Sequence, residues 1–165
     1  MSAPKCILLV DDNANDLEMT RMALAKQSRS HEVIVAHDGE EALDYLYRRG
    51  KFEHRERGNP MVVLLDLKMP KVDGLEVLRQ VKSDGQLKRI PVVMLTSSGE
   101  VGDVTNCYQL GVNAYVVKPV DFHEFLTAVK GIESFWAEIN VPPPNTTITE
   151  SRNFAAVVAP IAAAS

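Results

Sequence analysis

Five short apolar runs, separated by longer segments with helical spacing, are the feature of this sequence that most limits its fold. The runs are rich in β-branched residues and are apolar throughout, instead of alternating between apolar and polar residues. That composition is typical of strands buried on both faces, as in a parallel sheet. The predicted strands are residues 6–10, 33–36, 61–65, 92–95 and 114–117.

The segments between these runs carry apolar residues on one helical face. The last segment is the clearest, because Phe122, Phe125 and Val129 recur at helical spacing. Parallel strands need crossover connections, and right-handed crossovers place helices on both faces of the sheet. The sequence therefore predicts an α/β fold with a five-stranded, doubly wound parallel sheet.

Composition and charge exclude several classes of protein. Hydrophobic residues make up 45% of the 165 residues, which suits one domain with a sizeable core. Lys and Arg total 18 against 22 Asp and Glu, a net charge of −4, so we expect no nucleic-acid partner. The two cysteines, Cys6 and Cys107, are too few for a disulfide scaffold and fit a reducing cytoplasm. No run approaches the roughly 20 apolar residues of a bilayer span, so we expect a soluble cytoplasmic protein without a membrane partner.

Polar side chains follow the predicted strands at the end where a parallel sheet binds ligands. Asp11 and Asp12 follow the first strand, Asp66 the third, Thr96 the fourth and Lys118 the fifth. Ligands of doubly wound sheets bind outside the carboxyl ends of the strands, so we expect these side chains to converge. Three converging carboxylates repel one another unless a cation neutralises them, and Mg²⁺ takes oxygen ligands of this kind. The sequence therefore predicts a magnesium site with an ammonium and a hydroxyl beside it.

This combination of groups is typical of phosphoryl transfer with an aspartate as the nucleophile. The Lys118 ammonium would meet an anionic group as a point charge, and the Thr96 hydroxyl would donate to an oxyanion. Neither of the glycine-rich patterns GxxxxGK[ST] and GxGxxG occurs in the sequence. ATP or a dinucleotide is therefore not the expected ligand.

Four separated motifs, in this order, resemble those of the receiver domain of two-component response regulators. They are Val10-Asp11-Asp12-Asn13, Leu65-Asp66-Leu67-Lys68-Met69-Pro70 with Asp73-Gly74 following, Leu95-Thr96-Ser97 and Val117-Lys118-Pro119. The resemblance covers residues 5–138 and implies a flavodoxin-like (βα)5 fold. Within the family, the chain is similar to single-domain regulators that partner phytochrome-type histidine kinases. The basic connection 48–60, residues 82–91 and the proline-containing C-terminal extension carry this finer match.

The resemblance implies a role for each acidic residue of the predicted site. Asp66 would be the phosphoacceptor that attacks the phosphorus of a kinase phosphohistidine. Asp11, Asp12 and Asp66 would hold Mg²⁺ together with the backbone carbonyl of Lys68. Taken singly, either Asp11 or Asp12 would also suit a simple helix cap.

The resemblance also implies the residues that bind and sense the phosphoryl group. Thr96 and Lys118 would bind its oxygens, and Thr96 and Tyr115 would be the switch residues. An aromatic residue on a strand, such as Tyr115, is equally typical of a core position. The bond before Pro119 is usually cis in the family, and we expect the same isomer here. Phosphorylation would then bias the surface formed by the fourth helix, fifth strand and fifth helix.

Residues 139–165 form a C-terminal extension that is too short for an output domain of ordinary size. We therefore expect a phosphoacceptor signalling protein and not an enzyme, limited to self-catalysed phosphotransfer and autodephosphorylation. The expected partners are a sensor histidine kinase, of the phytochrome type on the finer match, a histidine phosphotransfer protein and a second copy of the chain. The dimer surface would be the switch surface defined above, or the fifth helix with the apolar tail 154–164.

Three alternatives stay open on the sequence alone. The chain is a relay intermediate, a pseudo-receiver that binds partners without phosphorylation, or an aspartate-nucleophile phosphatase. Such phosphatases usually carry a second aspartate two residues after the nucleophile, where this chain has Lys68. The remaining polar groups are predicted to have no role in the site. The arginines of residues 48–57 are predicted to lie in a solvated loop. The four histidines lack the sequence spacing of metal ligands and are predicted to lie on the surface or in loops. They are His31, His37, His54 and His123.

Overall fold

The structure, a computed structural model, describes residues 5–25 and 31–144. The apolar tail 154–164 and most of the predicted extension therefore lie outside the described residues. Strands and helices alternate along the chain as predicted. The strands are β1 (Lys5–Val10), β2 (His31–Ala36), β3 (Val62–Leu65), β4 (Val92–Thr96) and β5 (Ala114–Val117). The helices are α1 (Ala14–Ala25), α2 (Gly39–Tyr47), α3 (Gly74–Ser83), α4 (Val101–Gln109) and α5 (Phe122–Glu133), which continues as a π-helical segment, Ser134–Ile139.

The five strands form one parallel sheet in the order β2-β1-β3-β4-β5. This confirms the predicted doubly wound sheet, and the order 2-1-3-4-5 is the flavodoxin-like one. The chain moves outward from β1 to β2 and then crosses to β3 on the other side of β1. The direction of winding therefore reverses between β1 and β3, where Val10 pairs with Leu65. The residues that follow these two strands leave the sheet side by side.

Two apolar layers, one on each face of the sheet, form the core. Side chains alternate along β1, so that Leu8 and Val10 face one layer and Ile7 and Leu9 face the other. Helices α2, α3 and α4 cover the first layer, and α1 and α5 cover the second. Because both faces of the central strands are covered, their sequences lack polar alternation.

Three helices begin at the carboxyl edge of the sheet with an aspartate as the N-cap. Asp38, Asp73 and Asp121 accept hydrogen bonds from the backbone N–H groups three residues ahead, at 2.8, 2.9 and 3.0 Å. The start of α3 also lies directly against the chain that follows β3. A Cβ atom at Gly74 would lie 2.1 Å from the carbonyl oxygen of Asp66, so only glycine permits this approach.

The basic connection between α2 and β3 differs from the prediction of a solvated loop. The half-buried guanidinium of Arg55 donates to the carbonyl oxygens of Tyr45, Glu56 and Gly58 at 2.7, 2.8 and 2.9 Å. It also lies 4.1 Å from the centre of the Tyr45 ring. The prediction is wrong for Arg55, because its guanidinium donates to two carbonyls of the irregular loop and one of α2 and is thereby held against the protein.

One histidine also differs from its prediction. The side chain of His31, at the start of β2, is 2% exposed, and its Nε2 atom lies 3.2 Å from Oε1 of the fully buried Glu133. The surface prediction is wrong for His31 because the first residue of β2 faces the end of α5. His37, His54 and His123 are exposed, as predicted.

Within residues 5–25 and 31–144, none of the helices combines the length and apolar character that crossing a bilayer requires.

Candidate functional site

Four strand ends bring the predicted site residues to one edge of the sheet. Asp11 follows β1, Asp66 follows β3, Thr96 ends β4 and Lys118 follows β5. The backbone pairing continues past the strands: the N–H of Asp66 donates to the Val10 carbonyl at 2.9 Å, and that of Lys118 donates to the Thr96 carbonyl at 2.7 Å. The positions of these side chains are therefore fixed by the sheet and not by mobile loops.

Asp11, Asp12 and Asp66 form a compact acidic cluster. One carboxylate oxygen from each lies within 4.8 Å of the others. Asp11 is buried, Asp66 is half-buried and Asp12 is exposed. Carboxylate oxygens at this spacing are a donor set that a hard divalent cation accepts. The structure thus brings together the three carboxylates that the sequence assigned to one site.

Lys118 is the cation of the site, and three carboxylates surround its amine. Its Nζ atom lies 2.7 Å from Asp11 Oδ2, 2.9 Å from Asp16 Oδ2 and 3.6 Å from Asp66 Oδ2. The side chain is only 8% exposed, so the surrounding water screens these charges weakly. The pairing of Lys118 with Asp11 joins positions 107 residues apart in the chain.

The charge states follow from burial and hydrogen bonding together. Burial by itself would lower the pKa of the Lys118 amine, but the hydrogen bonds to Asp11 and Asp16 outweigh burial, so the pKa is raised. Burial raises the pKa of Asp11, and the hydrogen bond from Lys118 opposes that rise. Lys118 is therefore a permanent positive charge beside Asp66.

Sequence reasoning missed Asp16, the second hydrogen-bond partner of Lys118. Asp16 lies in the first turn of α1. Its backbone N–H donates to Asn13 Oδ1 at 3.0 Å, and its carbonyl accepts from the Thr20 hydroxyl at 2.7 Å. The signal was available, because α1 begins directly after β1 and its first turn must lie at the edge where the ligands meet.

Thr96 and Tyr115 lie on the neighbouring strands β4 and β5. Thr96 is buried, and its Oγ accepts a long hydrogen bond of 3.4 Å from the Ser98 N–H. The Tyr115 ring packs against the core layer under α2, α3 and α4, and its hydroxyl donates to the Ser98 carbonyl at 2.8 Å. Ser98 Oγ in turn donates to Asp103 of α4 at 2.5 Å. The loop after Thr96 is therefore tied to both β5 and α4.

The peptide bond between Lys118 and Pro119 is trans, so the prediction of a cis bond is wrong. The trans isomer of such a bond is intrinsically favoured by about 0.5–1 kcal/mol. From this backbone the Lys118 amine still reaches Asp11.

Comparisons with known proteins agree on one family. The response regulator receiver domain matches residues 7–130. The response regulator Rcp1 of Synechocystis sp. is 43% identical over 135 residues, which are 82% of this chain and 90% of Rcp1. A crystal structure of the Mn²⁺-bound form of Rcp1 has a TM-score of 0.80 at 42% identity and covers 85% of this chain and 99% of its own.

Two further solved structures are similar. The phosphorylated cyanobacterial phytochrome response regulator RcpA has a TM-score of 0.80 at 43% identity and covers 86% of this chain and 99% of its own. The bacteriophytochrome response regulator RtBRR has a TM-score of 0.69 at 55% identity and covers 96% of this chain and 95% of its own. Proteins of this family bind a divalent metal ion and interact with a histidine kinase. The chain belongs to the receiver-domain family and is a response regulator of two-component signalling.

Proposed function

We propose that Asp66 accepts a phosphoryl group from the phosphohistidine of a sensor histidine kinase in a magnesium-dependent reaction. The observation that carries this proposal is the environment of the Asp66 carboxylate. A permanent ammonium, Lys118, lies 3.6 Å away, and oxygens of Asp11 and Asp12 lie within 4.8 Å of an Asp66 oxygen. An aspartate so placed is a nucleophile with an anion-binding group beside it.

Hydrogen bonding orients the Asp66 carboxylate for attack. Its Oδ1 atom accepts from the N–H of Leu67 at 2.8 Å. In the transfer, a carboxylate oxygen forms a bond to phosphorus while the bond from phosphorus to the imidazole nitrogen breaks. The electron pair of the broken bond stays on the imidazole, which takes up a proton from water. The product is an acyl phosphate on Asp66 and a free histidine on the donor.

The charge balance of the pocket explains the expected need for a cation. Four carboxylates, those of Asp11, Asp12, Asp16 and Asp66, and an incoming phosphoryl group would share the one ammonium of Lys118 that lies among them. Mg²⁺ held by Asp11, Asp12, Asp66 and the backbone carbonyl of Lys68 would supply the missing positive charge. Lys118 would pair with one phosphoryl oxygen and the Thr96 hydroxyl would donate to another.

Thr96 and Tyr115 are the proposed switch residues. A phosphoryl group on Asp66 draws the Thr96 hydroxyl toward it, and the adjoining loop follows. That movement takes the Ser98 carbonyl away from the Tyr115 hydroxyl, so the ring turns inward. The surface formed by α4, β5 and α5 then favours its second arrangement, because the phosphoryl group binds that arrangement better.

The partners and the extent of the module are part of the same proposal. We assign residues 5–138 to the receiver module and residues 139–165 to an extension, and we propose a cytoplasmic location. The donor is a phytochrome-type kinase, since the similarity to the phytochrome response regulator RcpA and the bacteriophytochrome response regulator RtBRR supports that link. Output runs through protein contacts, including a homodimer, and passage of the group to a histidine phosphotransfer protein is the alternative. The acyl phosphate is lost by autodephosphorylation without turnover of small substrates.

Incubation with acetyl phosphate and Mg²⁺ tests the acceptor. We expect one base-labile, acid-stable phosphate on the wild type and on Glu53→Gln, which neutralises an exposed carboxyl in the basic loop. Asp66→Asn should take up none, and EDTA should stop labelling of the wild type. Full labelling of Asp66→Asn would contradict the proposal, and absence of labelling would favour the pseudo-receiver alternative. Sustained turnover of a generic phosphoester would favour the phosphatase.

Phosphotransfer from purified histidine kinases of the source cell tests the donor. We expect a photoreceptor-containing kinase to label Asp66, with a rate that changes between dark and illuminated samples. Labelling only by kinases that lack a photoreceptor module would overturn the phytochrome link while leaving the acceptor role intact.

A further inference from the structure

Lys118 has one acidic neighbour more than the proposed phosphoryl transfer uses. Asp11 and Asp66 belong to the acidic cluster, but Asp16 does not, and its carboxylate still lies 2.9 Å from the Lys118 amine. We propose that Asp16 is a positioning residue, which holds Lys118 so that one of its N–H groups is directed at the oxygen that receives the phosphoryl group. This inference rests on the proposed function, because it concerns how Lys118 serves Asp66.

The donors of Lys118 divide in a way that suits this role. An ammonium has three N–H groups. Two are used in hydrogen bonds, to Asp11 at 2.7 Å and to Asp16 at 2.9 Å. The third is left for Asp66, whose Oδ2 atom at 3.6 Å is too distant for a hydrogen bond. An oxygen of a phosphoryl group carried by Asp66 would have this donor available.

Asp11 cannot hold Lys118 by itself in every state, because its carboxylate has several partners. Its Oδ1 atom accepts from the Asn13 N–H at 2.9 Å, its Oδ2 atom accepts from Lys118, and it is a member of the acidic cluster. A cation at the cluster would compete with Lys118 for the charge of Asp11. Asp16 lies outside that cluster, so its hold on Lys118 does not depend on whether a cation is bound.

Asp16 is also well held, as an anchor has to be. Its own N–H and carbonyl are fixed by Asn13 and by the buried Thr20, at 3.0 and 2.7 Å. Its negative charge lies in the first turn of α1, where the helix dipole favours it. The contact joins α1 to the end of β5 across 102 residues of sequence.

A purely structural ion pair is the competing interpretation, and the two differ in what they predict. A structural pair would affect the free energy of unfolding and leave the rate at saturating phosphodonor unchanged. A positioning residue affects that rate, and only through Lys118. The isosteric change Asp16→Asn removes the charge and keeps the shape, so the variant tests the charge directly.

A double-mutant cycle between Asp16→Asn and Lys118→Ala, with acetyl phosphate and Mg²⁺ at saturation, tests the inference. We expect Asp16→Asn to slow phosphorylation about five- to tenfold, less than the roughly hundredfold cost of a 1 Å misplacement, because Asp11 still holds the amine. In the Lys118→Ala background, Asp16→Asn should cause no further loss. Glu18→Gln, which changes an exposed acid of the same helix, should match the wild type. A wild-type rate for Asp16→Asn, or an equal loss in both backgrounds, would overturn the inference.

Chemical labelling of the Lys118 amine gives a readout that needs no phosphorylation. Reductive methylation followed by mass spectrometry should modify Lys118 several-fold faster in Asp16→Asn than in the wild type or in Glu18→Gln. Unchanged labelling would show that Asp16 does not hold the amine. If the wild type accepts no phosphate, the proposed function fails while labelling still decides the placement of Lys118. If the wild type is phosphorylated and Asp16→Asn behaves like it, only this inference fails.

Discussion

The Tyr115 hydroxyl donates a hydrogen bond of 2.8 Å to the carbonyl oxygen of Ser98, and so ties β5 to the loop that follows the buried Thr96. In Tyr115→Phe this carbonyl loses its donor while the ring keeps its packing. We expect the unphosphorylated variant to unfold more easily by about 1 kcal/mol in urea titrations. In the phosphorylated protein the difference should vanish, because the proposed movement has already broken the bond. An equal loss of stability in both states would argue against Tyr115 as a switch residue.

Gly74 is the position where a single methyl group should damage both fold and site. An added Cβ atom would lie 2.1 Å from the Asp66 carbonyl oxygen, so the chain after β3 has to move. We expect Gly74→Ala to lower the free energy of unfolding by about 3 kcal/mol, the upper end of overpacking costs. Phosphorylation of the folded fraction should also slow.

Gly85→Ala is the matched control for Gly74→Ala, since a Cβ atom at Gly85 meets nothing within 4 Å. Denaturant unfolding should show no loss of stability there. A mild effect of Gly74→Ala, similar to that of Gly85→Ala, would mean that the close approach to Asp66 is not a real constraint.

Arg55 should be the arginine of the basic connection on which stability depends. Its guanidinium serves three carbonyl oxygens at 2.7, 2.8 and 2.9 Å and lies over the Tyr45 ring. Lysine keeps the charge but not the planar fork, so we expect Arg55→Lys to cost about 2 kcal/mol in urea unfolding. Arg57→Lys, at an exposed position of the same loop, should be neutral. Equal effects of the two changes would contradict the role given to Arg55.

The buried Glu133 should give the protein a measurable dependence of stability on pH. Burial raises its pKa, and the charge of Glu138 adds to the rise. The unfolded chain therefore ionises this group first, near its ordinary value of 4.5, and the folded state loses stability as the pH rises above that value. In Glu133→Gln this loss is absent. The free energy of unfolding of the variant should therefore rise relative to that of the wild type between pH 4.5 and neutrality.

Urea unfolding of both proteins at several pH values measures that difference. The facing His31 acts with the opposite sign, because burial lowers its pKa and stability falls as the pH drops below 6.5. Because His31 lies 3.2 Å from Glu133, its contribution is separated by repeating the comparison in a background that lacks His31. A stability difference that stays constant across the range would show that Glu133 ionises normally in the folded chain.

The fold and the acidic cluster could be predicted from the sequence because each rests on a local pattern with one geometric consequence. Apolar runs without alternation require a sheet covered on both faces, and parallel strands bring their carboxyl ends to one edge. Asp11, Asp12 and Asp66 follow such strands and lie together, as does Lys118. No tertiary detail is needed for that inference.

The contacts of His31 and Arg55 were not predictable in the same way, and for Asp16 only its place at the ligand-binding edge of the sheet was predictable, not its contact with Lys118. The contact of His31 depends on its reach toward α5, which is distant in sequence, and the contacts of Arg55 depend on how the irregular loop folds back on itself and on α2. Asp16 carries the ordinary signature of a first-turn acid, and His31 that of a polar residue at the start of an edge strand. Arg55 sits in a run of charges that composition alone assigns to solvent, while three backbone carbonyls bring its guanidinium inside.

The pairing of Asp11 with Lys118 across 107 residues has a consequence for synthesis on the ribosome. A nascent chain that has emerged only as far as β4 already contains the three clustered acids, the proposed phosphoacceptor Asp66 among them, but not the Lys118 amine that lies beside them. On the proposed mechanism such an intermediate lacks the amine that would pair with the phosphoryl group, so we expect it not to accept one. On the proposed mechanism, the chain would therefore accept a phosphoryl group only after its last strand has joined the sheet.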